Sequence, residues 1–115
     1  MKREESWIGV DLDGTLAQDL GEPHGYAIGP PIPEMVERVK AWLAEGIEVR
    51  IFTARVSDED ECLHQLLFIR DWCREHIGQE LEVTCTKDFK MWELWDDRAV
   101  QVVKNTGQRV GDEQR

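Results

Sequence analysis

Six residues of this chain have side chains suited to handling a phosphoryl group. They are Asp11 and Asp13 in "VDLDGTLA", Thr53 in "IFTAR", Lys87 in "CTKDF", and Asp96 with Asp97 in "LWDDRA". A carboxylate can attack phosphorus or ligate a cation, a hydroxyl can donate to a phosphate oxygen, and an ammonium can offset developing charge. Taken singly, each has an ordinary structural explanation. Asp-x-Asp-Gly is a common turn sequence because Asp and Gly suit turn conformations, and a lone Thr or Lys at a strand end carries little information. What matters is whether the chain brings the six together.

The elements that would do so follow from hydrophobic patterning. "WIGVDL" (7–12) is a short apolar run of buried-strand length that ends in a turn. Residues 18–31, rich in Gly and Pro and without a period, predict a loop. From Pro33, apolar residues Val36, Val39 and Leu43 recur at helical spacing, with Met35 and Trp42 widening the stripe and Gly46 following as a C-terminal cap. "IEVRIFT" (47–53) predicts a second strand. Residues 58–78 predict a second helix, with acidic residues at its start and Leu66, Ile69, Cys73 and Ile77 along one face. "LEVTCT" (81–86) predicts a third strand, and "MWELWDDRAVQVV" a fourth ending near Asp96 and a fifth over 99–103. Beyond Asn105, residues 106–115 predict a flexible polar tail.

Strands alternating with helices imply α/β architecture: a three-layer α/β sandwich with a mostly parallel, Rossmann-like sheet. Ligands of such sheets bind outside the carboxyl ends of the strands. Asp11 and Asp13, Thr53, Lys87, and Asp96 with Asp97 all fall at predicted strand ends of that kind.

The 115 residues fit one domain, with a core over about 7–103. A composition with 41% hydrophobic and 33% charged residues predicts a soluble globular protein. The formal net charge of −10 argues against a nucleic-acid coat protein and suits a divalent cation. Cys62, Cys73 and Cys85 are odd in number and lack paired spacing, and "MKREESW" has no apolar segment behind it, so a reducing cytoplasm is expected. No apolar run approaches the roughly 20 residues that cross a bilayer, so no membrane partner is expected.

With these residues in place, the chain resembles the haloacid dehalogenase superfamily of phosphatases and phosphotransferases. "DLDGTL" is similar to its first motif, Thr53 to its second, Lys87 to its third and Asp96-Asp97 to its fourth, in family order. The resemblance implies a Mg²⁺-dependent phosphomonoester hydrolase working through an aspartyl-phosphate. Asp11 would be nucleophile and metal ligand, and Asp13 the general acid and base with its carbonyl on the metal. Gly14 would let the chain turn so that backbone N–H groups face the phosphoryl group. Phosphate contacts would come from Leu12, Gly14, Thr53, Ala54, Arg55 and Lys87. In the last motif the resemblance favours Asp97 for direct ligation and Asp96 for a supporting role. Lys90 is the alternative to Lys87.

The short interval after the first motif, and one helix with a strand between Thr53 and Lys87, imply a capless type. An open site of that kind admits large substrates or calls for a second subunit, as in a homo-oligomer, to close it. "DDRAVQVV" further resembles polynucleotide 3′-phosphatases, so the substrate reading includes a phosphorylated small molecule, a nucleotide or a nucleic-acid end. Alternative functions are phosphate transfer to another acceptor, a receiver-like signalling module, and a non-catalytic binding protein on the same fold.

Other residues carry competing readings. Cys62, His64, Cys73 and His76 include soft metal ligands on one predicted helix, but Cys73 also fits its apolar stripe. His24 reads as a loop histidine near the site. Arg55 reads equally as a leaving-group contact and as a solvent-facing or capping residue. Trp95, beside the acidic pair, reads as a packing residue.

Overall fold

The computed structural model describes residues 5–112. Four short strands, β1 (Trp7–Val10), β2 (Glu48–Phe52), β3 (Glu82–Thr84) and β4 (Met91–Trp95), form an all-parallel sheet in the order β3-β2-β1-β4. β1 is interior and wholly buried, as its uninterrupted apolar composition requires. Its register sets Ile8 beside Val49 and Val10 beside Ile51, and these four side chains form the floor of the core.

Two helices cover that floor. α1 (Pro33–Ala44) begins on a proline, whose missing N–H costs nothing in a first turn, and contributes Met35, Val36 and Val39. Past its end, Gly46 takes φ 82°, a left-handed conformation that closes the helix. α2 (Cys62–His76) contributes Ile69, Trp72 and Cys73. It starts later than the acidic run beginning at Asp58 suggests. The Asp58 carboxylate accepts the Asp60 N–H at 2.9 Å, a local turn that competes with helix at this point.

Connection geometry explains the layering. A strand joined to a parallel neighbour crosses over right-handedly, so β1-α1-β2 and β2-α2-β3, which step the same way along the sheet, place both helices on one face. The step from β3 to β4 returns across the whole sheet, about 14 Å at normal strand spacing, and so uses the opposite face. Residues 85–90 make this return without a helix. Asp88 accepts from Trp7 Nε1 at 2.9 Å and lies 3.7 Å from Arg50, whose guanidinium stacks over the Trp7 ring, and Trp7 stacks in turn on Phe52. These bonds, with the Lys90 N–H, hold the Asp88 carboxyl below its ordinary range. Among the described residues, the layer on this face is therefore a short crossing segment and a stack of side chains.

After β4 the chain adds no fifth strand to the sheet among the described residues. It folds back on itself: Val103 N–H donates to Gln108 O and Val110 N–H to Gln101 O, around a turn in which Asn105 takes φ 66°. Residues 106–112, expected as part of a flexible tail, form the returning arm of this hairpin, and 113–115 lie outside the described residues. Among the described residues, no helix is long and apolar enough to cross a membrane.

The core and the hairpin should respond differently to truncation. Ile51→Ala, at a fully buried position on the sheet, is expected to cost about 2–5 kcal/mol in urea denaturation. Val102→Ala, on the exposed hairpin, should stay within about 0.5 kcal/mol.

Candidate functional site

The carboxyl ends of β1, β2 and β4 open on a cavity of about 630 Å³. Asp11 and Asp13 enter it from β1, Thr53, Ala54 and Arg55 from β2, and Asp96, Arg98 and Ala99 from beyond β4. The Gly- and Pro-rich strap after β1 also lines it, through Asp19, Glu22 and His24.

Asp11 extends β1 by one more sheet bond, donating its N–H to Trp95 O at 2.9 Å, which fixes it against the end of β4. Asp11, Asp96 and Asp97 each present an oxygen within 4.8 Å of the others. Partial burial together with the neighbouring Asp96 and Asp97 pushes the Asp11 carboxyl up from 3.8 to about 7, against a smaller opposing bond from the Leu12 amide. Three clustered carboxylates of this kind form a hard-oxygen donor set, the kind that suits Mg²⁺ or Ca²⁺ rather than a soft metal. Among the described residues this is the metal-capable group; Cys62, His64, Cys73 and His76 do not converge. Cys73 is core, its thiol pushed up to about 12 by burial.

Asp97 reaches the cluster because the first turn is built to receive it. Gly14 has φ 92°, and a Cβ there would lie 2.6 Å from Asp97 Oδ2. Thr15 holds the same residue from the other side: its hydroxyl accepts the Asp97 N–H at 3.0 Å and donates to Asp97 Oδ1 at 3.3 Å. Gly14, expected among the phosphate contacts, has its own N–H engaged by Ala17 O at 2.8 Å. Glycine is needed here for its conformation and for the room it leaves Asp97. Leu12 is a core side chain whose carbonyl accepts the N–H groups of Leu16 and Ala17, so only its amide faces the site chemistry.

Thr53 is buried at the cavity wall. Its hydroxyl accepts the Arg55 N–H at 3.2 Å and caps the short 3₁₀ turn Ala54–Val56, which leaves the hydroxyl hydrogen to donate elsewhere.

Arg55 departs most from its sequence reading. Its side chain is 4% exposed, not solvent-facing. Nε and Nη2 grip Asp13 Oδ2 and Oδ1 at 2.7 Å each, Nη2 also donates to Ala27 O at 2.8 Å, and Nη1 donates to Gln65 Oε1 at 3.2 Å and Gly25 O at 3.5 Å. All five guanidinium N–H donors are thus occupied, so Arg55 has none left for a phosphate. Asp13, expected as general acid and base with its backbone carbonyl on the metal, has its carboxylate turned to Arg55, outside the group of three converging carboxylates.

Lys87 does not line the cavity. It lies exposed in the crossing segment that Asp88 ties to Trp7, as does Lys90. The cation found at the cavity in their stead is Arg98, which follows directly on the acidic pair. Trp95 packs against Trp42 and under Arg38, away from the site chemistry.

Three contributors were not singled out from sequence. Thr15 and Arg98 each adjoin a motif, and that adjacency was the available signal. Gln65 is a buried polar residue four positions before Ile69 on the covered face of α2, so helical spacing alone would have marked it. Gln65 also donates to Gly25 O at 3.0 Å, and Trp72 Nε1 donates to Gly29 O at 3.0 Å; with Tyr26 stacked on Phe68 these bonds pin the strap to α2.

In comparisons with known proteins, no family model and no curated protein matches this chain. Among solved structures it is similar to a conserved protein coded by a locus from Bacteroides thetaiotaomicron, with 27% identity and a TM-score of 0.58 over 84% of this chain and 78% of that one. That likeness bears out the compact parallel α/β fold.

Proposed function

We propose that this chain is a phosphomonoester hydrolase of the haloacid dehalogenase type, working with a divalent cation such as Mg²⁺. The observation that carries the reading is the convergence of Asp11, Asp96 and Asp97 at the strand ends, beside a cavity that Asp11, Asp96 and Thr53 line. Crowded carboxylates repel one another, and a bound cation relieves that repulsion.

When bound, the cation would screen the approach of an anionic phosphate and polarise its oxygens. Asp11 supplies the nucleophile: its carboxylate oxygen forms a bond to phosphorus as the bond to the leaving oxygen breaks, and that oxygen takes up a proton. Water then attacks phosphorus, the acyl–phosphate bond breaks, and Asp11 is regenerated with release of inorganic phosphate and a proton. Thr53 donates to a phosphoryl oxygen, and Arg98 offsets charge in the role the sequence suggested for Lys87. Asp13, held by Arg55, orders the turn between Asp11 and Gly14; to exchange a proton with the leaving group it must first let go of the guanidinium. A receiver module places its acidic pair after the first strand, whereas here the pair follows the edge strand β4.

Hydrolysis of a generic aryl phosphate should require Mg²⁺ and fall by on the order of 10³ or more in Asp11→Asn, measured as released phosphate. Absence of turnover across a broad phosphomonoester panel, with Asp11→Asn indistinguishable from wild type, would sink the proposal.

The Asp11 shift also predicts a pH-dependent stability. A carboxyl raised to about 7 in the folded chain holds its proton where the unfolded chain, near 3.8, has lost it. Without metal, wild-type stability should therefore fall as pH rises from about 4 to about 7, and Asp11→Asn should flatten that fall. Because ligation needs the ionised form, stabilisation by Mg²⁺ should be larger at pH 8 than at pH 5, read as the shift in thermal midpoint.

A further inference from the structure

The strap that lines the cavity together with Asp11 is built as a wall. Between Gly25 and Gly29 its backbone carbonyls accept from Arg55, Gln65 and Trp72, all of them buried. Asp19, Glu22 and His24 lie between these bonds and the one that the Gln18 N–H donates to Pro30 O at 2.9 Å. The Asp19 carboxylate folds its own turn by accepting the Gly21 N–H at 2.8 Å, and Glu22 lies 3.5 Å from His24.

The charge on this wall has a chemical consequence. A phosphate seated at Asp11 and Thr53 directs the remainder of its substrate into a cavity whose strap side carries Asp19 and Glu22. Of the cationic side chains lining the cavity, Arg55 has every donor engaged, which leaves Arg98 beside the acidic pair at the phosphate end. A leaving group bearing further negative charge meets two carboxylates on that wall, where the one histidine, His24, lies 3.5 Å from Glu22. One bearing an ammonium group, or only hydroxyls, is not repelled there.

We propose that Asp19 and Glu22 determine substrate choice at this cavity, favouring small phosphomonoesters whose leaving group is cationic or neutral and disfavouring anionic ones, nucleic-acid ends included. This rests on the hydrolase reading for the orientation of the phosphate, but its test is an affinity order that does not need turnover.

Three probes of similar size separate the variable: O-phosphoethanolamine, glycerol 1-phosphate and 3-phosphoglycerate, whose remainders are cationic, neutral and anionic. Protein-observed NMR titrations of Mg²⁺-loaded protein should give affinities in that order, about threefold to tenfold apart per unit charge. The spread should shrink in Asp19→Asn/Glu22→Gln and in 0.5 M salt, which screens the same charges without any substitution. Equal affinities, an inverted order, or binding of none of the three would overturn the proposal. Phosphate release recorded in the same samples tells the two readings apart. The predicted order with no release here or across the broad phosphomonoester panel leaves the wall standing and removes the hydrolase; release with no charge order does the reverse.

Discussion

A single buried guanidinium joins the parts of this molecule that matter most to its cavity. Arg55 is held at the end of β2 by the turn that Thr53 caps, and it meets the first turn through Asp13, the strap through Gly25 and Ala27, and α2 through Gln65. A charge this far from water is tolerable only when paired and fully hydrogen-bonded, and removing one partner of such a pair typically costs about 3–5 kcal/mol. The constraint therefore runs both ways. The first turn, the strap and α2 must stay where they are for Arg55 to remain satisfied, and Arg55 holds the strap through Gly25 and Ala27.

The second constraint is electrostatic and of opposite sense. Asp11, Asp96 and Asp97 are brought within reach of one another although nothing among them cancels their charge. The chain commits covalent detail to this crowding: a glycine where any Cβ would strike Asp97, and a threonine hydroxyl that both donates to and accepts from the same residue. Groups that repel one another are held together by sterics and hydrogen bonds supplied by their neighbours. Burial of Asp11, and after it this crowding, push its carboxyl up to about 7.

Sheet topology explains why one expected member of the site is elsewhere. With β3 and β4 on opposite edges, the chain between them must cross the face that the helices leave uncovered. Residues 85–90 make this crossing without a helix, and Asp88 pins them to Trp7 and Arg50. Lys87 rides on that crossing, while the position beside the acidic pair falls to Arg98. The same crossing, with Trp7, Phe52 and Arg50 stacked beneath it, forms the layer of side chains on the second face.

Local pattern determined the strands, both helices, the parallel α/β class and the gathering of Asp11, Thr53, Asp96 and Asp97 at one edge, because periodicity and turn chemistry act over a few residues. α2 begins four residues after the expected start and the last segment turns back as a hairpin, since an Asx turn at Asp58 and a left-handed Asn105 are choices made between competing local geometries. Only the tertiary structure decided that Asp13 faces Arg55 rather than the other carboxylates, that Arg55 is buried with every donor engaged, that Gln65 braces the strap, and that Arg98 stands at the cavity in place of Lys87. The contacts among Asp13, Arg55, Gln65 and the strap join residues ten to more than forty positions apart, and local spacing does not encode such pairings.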